Sequence, residues 1–220
     1  MGALPIGLVL AVYAAITYLV AGIPFGLLVT RAQGIDVRKV GSGNIGTTNV
    51  ARAAGKGSAG LTLLLDAAKG LVPMLLARPV FGSLCFNGNP NAIEPGGEAD
   101  WILGVVLLAA VSGHVFSIYL KFKGGKGIAV GVGCAVGLSP LLGLILLGVF
   151  LAFVIPTRYV SLGSCMAAAS MPIVSWFMFH PSPALMVFLV IGPCLVIWAH
   201  RANIGRLIRG EESKFAFKKD

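Results

Sequence analysis

Charge is what this sequence has least of. Only 11% of its 220 residues are Asp, Glu, Lys or Arg, against roughly a quarter in a soluble domain. With 57% hydrophobic residues and a mean hydropathy of +0.91, globular folding in water cannot hide the apolar surface, so lipid must solvate most of it. Paired cysteines are missing too. Cys85, Cys134, Cys165 and Cys194 lie far apart and no CxxC occurs, which argues against a zinc site or a disulfide framework and leaves small apolar packing residues. No charge precedes Arg31, so the opening stretch lacks the basic start of a cleaved signal peptide and reads as a retained span. Internal repeats are absent, and with them the inverted-repeat signature of many transporters.

What is present is a series of apolar runs, at residues 4–30, 59–81, 101–120, 128–139, 141–155, 162–179 and 184–199. Several approach the ~20 residues that cross a bilayer. The runs at 128–139 and 141–155 could form one helix kinked at Pro140 or a hairpin turning there. Basic residues decide between them, because Lys and Arg favour cytoplasmic flanks. Arg31, Arg38, Lys39, Arg52 and Lys56 follow the first run; residues 82–100 hold only Glu94, Glu98 and Asp100; Lys121, Lys123 and Lys126 come next. A single span over 128–155 would put Arg158 and the six basic residues from Arg201 to Lys219 on the wrong sides; a hairpin keeps every basic segment inside. The expectation is an all-α polytopic membrane bundle of seven transmembrane helices, N-terminus out and C-terminus in, with short fourth and fifth spans. It is one domain, 1–220, ending in a loose cytoplasmic tail at 211–220. The net charge of +9 falls in short tracts between apolar runs, which fits anionic headgroups or phosphorylated substrates better than nucleic acid.

Four polar tracts interrupt the runs. The first, GSGNIGTTNVAR at 41–52, contains a literal GxGxxG. A dinucleotide site would need a preceding strand and a crossover helix, which an all-helical chain does not supply. Two readings remain: a plain polar loop, or a glycine-permitted turn in which Ser42, Asn44, Thr48 and Asn49 offer polar groups and Arg52 a guanidinium to an anion. The second is preferred. The next tract, KFKGGKG at 121–127, runs into the fourth span. A helix N-terminus with Gly124, Gly125 and Gly127 beside Lys121 and Lys126 suits a phosphate. It is not a Walker A loop, since Leu120 stands where the first glycine should be and Gly127 replaces Ser or Thr. The third tract, 157–164, carries Arg158, Ser161 and Ser164; the fourth, 200–206, carries His200, Arg201 and Asn203, with Glu211 and Glu212 beyond. On a continuous helix His200 and Asn203 share a face, with Arg206 a further candidate for it. Asp66 and Lys69, spaced to pair with each other inside the second run, fit a structural role as well as a catalytic one. The topology gathers all four tracts on one side, offering Arg52, Lys126, Arg158 and Arg201 to an anionic substrate with an apolar or lipid partner.

Together GSGNIGTTNVAR, GHVFSIYLKFKGGKG, RYVSLGS and HRANIGRL resemble the bacterial membrane glycerol-3-phosphate acyltransferases that use acyl phosphate as donor. The likeness runs in order along essentially the whole chain. It implies seven spans, cytoplasmic motifs and no cofactor or metal. It also implies transfer of a fatty acyl group from acyl phosphate to glycerol 3-phosphate, giving lysophosphatidic acid and inorganic phosphate, in the bacterial cytoplasmic (inner) membrane. The partners implied are the two substrates and membrane lipid, and the chain is taken as a monomer. Carried across by motif, Lys126, His200, Asn203 and Ser164 are the catalytic candidates. Ser42, Asn44, Thr48, Asn49, Arg52, Lys121, Gly124, Gly125, Gly127, Ser161, Arg201 and Glu212 are the substrate-binding candidates, with Glu211 the alternative to Glu212. The chain departs from the usual pattern at Thr47, where the family often has Ala, and at Ala202, often Glu; both concern local contacts. Residues five beyond His114, His180 and His200 are Tyr119, Leu185 and Gly205, so the HxxxxD dyad of other acyltransferases is absent. The general base is then His200 or, as preferred here, the donor's own phosphate. Lys126 and the glycine amides are assigned to the donor phosphate and Arg52 to glycerol 3-phosphate, an assignment that could be exchanged. The competing reading is a membrane transporter for an organic phosphate.

Overall fold

A computed structural model of the protein describes residues 4–215. The described residues form nine α-helices joined by loops and three short 3-10 turns. The first apolar run is broken: α1 (Ile6–Gly22) and α2 (Phe25–Arg31) part at Pro24, which has no N–H to continue the ladder. The carbonyls exposed at that break are capped from elsewhere, Gly22 by the Ser117 hydroxyl at 2.6 Å and Ile23 by the Lys69 ammonium at 2.7 Å. In lipid such groups have no water to fall back on.

The second helix run, α3 (Thr47–Cys85), is 39 residues long and steps out of helical geometry at Gly55, φ 81°. Beyond that kink, residues 56–85 at 1.5 Å per residue reach roughly 45 Å, more than the ~30 Å of hydrocarbon. The turns before the kink carry Thr47 to Arg52. After α4 (Trp101–Val115) come α5 (Ile128–Leu138) and α6 (Pro140–Thr157). These are separate helices: a Cβ on Gly143 would stand 3.3 Å from the Val136 backbone, so the chain folds back at Ser139 and the hairpin reading holds over the kinked one. Then follow α7 (Val160–Phe179), α8 (Pro183–Ala199) and α9 (Arg201–Ile208), the last bent by 59° from α8. Five helical segments are long and apolar enough to cross a membrane, six if the bent pair counts as one; α5, at 11 residues, is shorter than a standard span.

The core sits around α4, 61% buried against 17% for the α1–α2 segment. Outward faces carry Leu64, Phe177, Leu144 and Ile173, all more than half exposed; such surfaces need lipid. Lipid gives little drive for apolar faces to associate, so helices pack by close backbone approach at small residues. A Cβ on Gly133 would lie 2.0 Å from the Ala67 carbonyl oxygen, and one on Gly113 2.3 Å from that of Tyr18, which locks α5 on α3 and α4 on α1. At the end away from the polar tracts, Arg78 pairs with Glu94 at 2.5 Å and donates to the Gly137 and Leu138 carbonyls at 2.8 and 3.2 Å, closing the C-terminus of α5. Asp100 there accepts from the Ser182 and Gly96 amides at 2.9 and 3.0 Å.

The crossing of α3 and α5 sets the first expectation. Gly133→Leu forces the two backbones apart and lowers the thermal midpoint in detergent by several degrees, whereas Gly131→Leu, which meets open space, leaves it within about 2 °C. Equal midpoints would contradict the close packing.

Candidate active site

In the first tract, Asn49 does the organising. Its side-chain amide donates to the Val37, Val40 and Asn44 carbonyls at 3.0, 2.9 and 2.9 Å, and its oxygen accepts from the Ser42 amide at 3.0 Å. Buried and fully engaged, it holds the loop rather than the substrate. Gly41 and Gly43 take positive φ of 54° and 68°, a region open to glycine at little cost. Asn44 bonds the Gly46 amide at 2.8 Å, turning the chain into α3. The loop leaves Ser42 exposed and brings Arg52, one turn on from Asn49, alongside Gly41. Val37, Ile45 and Val50 pack with Leu27 beneath it.

The second tract is a loop clamped to the end of α4. The Gly124 amide donates to the Val115 carbonyl and the Gly125 amide to that of His114, each at 3.0 Å. Neither position has room for a side chain: a Cβ at Gly124 would meet the His114 oxygen at 1.9 Å, and one at Gly125 the His114 Nε2 at 2.1 Å. The amides of Gly124 and Gly125, expected to bind phosphate, are thus spent on α4. Gly127, at φ 81°, caps α5, whose first-turn amides have no partner within the helix. Between them Lys126 is half-buried, and among the described residues its ammonium has no recorded ion pair or hydrogen bond.

Glu212 ties the last two tracts together. It accepts from the Ser161 hydroxyl at 2.8 Å, the Asn203 amide at 2.6 Å and the Arg206 guanidinium at 2.7 Å. Burial would raise its pKa, but these donors together with the Arg206 charge outweigh that and hold it below the usual value. Glu211 instead faces outward to Arg209, which settles which of the two acids belongs here. Within residues 211–215, besides Glu212, the Phe215 amide donates to the Arg158 carbonyl at 2.8 Å. Residues 216–220 lie outside the described residues.

His200 sits at the α8–α9 bend, 2% exposed, with Nδ1 at 2.8 Å from the Val196 carbonyl. A carbonyl only accepts, so Nδ1 carries the hydrogen and Nε2 keeps its lone pair. Burial pushes this imidazole down to about 4, so it is neutral at physiological pH. Burial likewise pushes Lys126 below the ordinary lysine value; Glu212 opposes the shift, while the charges of Arg206 and Arg52 add to it. Lys126 also acts on His200. One electrostatic neighbourhood therefore contains residues from all four tracts.

Not every candidate joins it. Arg201 lies out over the Trp198 ring, 4.0 Å from its centre, and donates to the Trp198 carbonyl. Lys121 is exposed in a left-handed turn at φ 53°. Ser164 is buried with its hydroxyl donating to Val160 within its own helix at 2.8 Å, and Thr48 is half-buried in the first turn of α3. Arg206, which the sequence places on the face of His200 and Asn203 but which was not among the site candidates, joins the cluster through Glu212. Its signal was there: three beyond Asn203 and six before Glu212, it continues the face that Asn203 begins.

His200 gives a pH prediction whose sign follows from linkage. Its folded pKa of about 4 lies below the ordinary 6.5, so between these values the unfolded chain binds the extra proton and stability falls as pH drops. A His200→Gln variant loses less stability than the wild type between about pH 6.5 and 4, measured as thermal midpoints; parallel curves would contradict the assignment.

The family model for Glycerol-3-phosphate acyltransferase matches residues 11–210. The chain is 42% identical to the glycerol-3-phosphate acyltransferase of Rubrobacter xylanophilus, covering 90% of this chain and 91% of that protein. It is 46% identical to that of Trichlorobacter lovleyi, over 90% and 93%. Its fold is similar to the crystal structure of PlsY, an integral membrane glycerol 3-phosphate acyltransferase, in the glycerol 3-phosphate form, with a TM-score of 0.83 and 35% identity over 94% of this chain and 96% of that one. A lysophosphatidic acid form of PlsY gives 0.81 at 34% identity, over 94% and 95%. With its apolar helices, its four converging tracts and these relatives, the chain is a multi-pass membrane protein that belongs to the glycerol-3-phosphate acyltransferase family.

Proposed function

We propose that this protein transfers the acyl group of an acyl phosphate to glycerol 3-phosphate, releasing lysophosphatidic acid and inorganic phosphate at the cytoplasmic face of a bacterial inner membrane. One observation carries the reading: a half-buried lysine that forms no ion pair or hydrogen bond among the described residues, acted on by the charges of Glu212, Arg206 and Arg52, stands two residues before a small apolar groove. That groove is lined by Ile128, two residues beyond Lys126, by Ala167, Ala168 and Met171 of α7, and by Val196, whose carbonyl holds His200. Cations on the loops and apolar helix faces behind them suit a molecule with a phosphate head and a fatty tail.

In this reading Lys126 and the first-turn amides of α5 take the donor phosphate, and Arg52 with Ser42 takes glycerol 3-phosphate. The primary hydroxyl attacks the acyl carbonyl carbon, the bond from that carbon to the phosphate oxygen breaks, and the hydroxyl proton leaves with the phosphate. Acyl phosphate is already activated, so the protein contributes positioning and charge stabilisation. A histidine held near 4 is a weak base, which assigns the proton to the donor phosphate. His200 then orients the hydroxyl through Nε2, and Glu212 keeps Asn203 and Arg206 in place. Seven crossings, with the short α5 as the fourth, put the N-terminus outside and the polar tracts inside, and the protein works as a monomer. Transport of an organic phosphate is less well served, because at the far end of the bundle Arg78 is already engaged with Glu94 and two carbonyls.

Purified protein in detergent, given acyl phosphate and glycerol 3-phosphate, releases phosphate. Lys126→Ala lowers kcat/KM by about 100-fold or more with an unchanged thermal midpoint. Full activity in that variant, or uptake into sealed vesicles without phosphate release by the wild type, would overturn the reading.

A further inference from the structure

Asp66 and Lys69 meet at 2.9 Å inside α3, 1% and 4% exposed, and the chemistry above makes no use of them. An ion pair within hydrocarbon costs more than the apolar residues that could fill the same space. What the pair touches accounts for its presence. Lys69 donates to the Ile23 carbonyl at 2.7 Å, at the break between α1 and α2, and stands 5.4 Å over the Phe25 ring. One residue further, Gly26 packs so tightly on the first tract that a Cβ there would meet the Ile45 oxygen at 1.8 Å. On the other side, Asp66 faces His114 Nδ1 at 4.0 Å. That nitrogen is buried and, among the described residues, has no hydrogen-bond partner; the ring lies next to the Asp66 carboxylate and under the Lys69 charge as well. The rest of His114 is the seat of the second tract: its carbonyl receives the Gly125 amide at 3.0 Å, and its Nε2 occupies the space a Gly125 side chain would need.

One buried ion pair thus touches both supports, the break that leads through Gly26 to the Ser42–Arg52 loop and the histidine that carries the Gly124–Lys126 loop. We propose that Asp66, Lys69 and His114 are positioning residues that fix the spacing between these two loops, and so between the sites for the two phosphates. This rests on the functional reading above. None of the three need touch substrate; a shift of about 1 Å between the loops is enough to cost up to about 100-fold in rate.

The test separates positioning from plain stabilisation. Replacing the pair by apolar residues of similar size, Asp66→Leu with Lys69→Met, removes both charges and leaves neither unpaired, and the Ile23 carbonyl keeps the Phe25 amide at 3.0 Å, so the protein folds with a midpoint within about 4 °C of wild type. Its kcat/KM nevertheless falls at least about 10-fold, with KM raised for glycerol 3-phosphate and for acyl phosphate. In parallel, His114→Asn, whose amide can still donate toward Asp66, keeps more activity than His114→Leu at equal stability. Should the double variant fail to fold, this histidine pair decides the matter. Wild-type kinetics in the folded double variant or, if it does not fold, equal kinetics in the two histidine variants would overturn the inference while leaving the proposed activity intact. A wild type that released no phosphate would instead bring down that activity and this inference with it.

Discussion

The seating of the Gly124–Gly125 loop on the end of α4 is the contact on which the rest of the site depends. Two amides reach the His114 and Val115 carbonyls, and they can do so only because no Cβ intervenes. The loop thereby supplies amide donors to orphan carbonyls at the end of α4 and is fixed in place around Lys126. Without that approach, Lys126 would be one more flexible lysine at a membrane surface. With it, an ammonium is held half-buried two residues before the start of α5.

A site that collects Lys126, Arg52 and Arg206 repels itself. The bundle meets this by spending one acid, Glu212, on Arg206, Asn203 and Ser161 together; its charge also acts on Lys126, while neither Lys126 nor Arg52 forms an ion pair among the described residues. Positive charge is thus in excess where a phosphate would complete it. The same economy governs the hydrocarbon interior, where carbonyls freed by Pro24 are capped by Ser117 and Lys69 because lipid offers them nothing.

Glycines divide by task. Those on helix faces, such as Gly133 and Gly113, permit backbones to cross closely where lipid gives little hydrophobic drive. Those in the loops either adopt left-handed geometry, as Gly41, Gly43 and Gly127 do, or clear space for a neighbour. The sequence marked the loop glycines as phosphate donors. In the structure the Gly124 and Gly125 amides bond the end of α4, in space that no side chain could share.

The sequence by itself determined the membrane class, the helical runs, the hairpin at Pro140 and the four tracts, because apolar run length and the placement of basic residues are local quantities that survive without a fold. It also paired Asp66 with Lys69 from their three-residue spacing. Tertiary structure alone decided that Asn49 holds its loop, that Glu212 rather than Glu211 enters the site with Arg206 while residues 211–215 fold back, and that Arg201 turns away onto Trp198. A polar side chain near an anion site looks the same in sequence whether it faces the ligand or the backbone. Which it faces is set by contacts between segments far apart in the chain, and those exist only once the helices have packed.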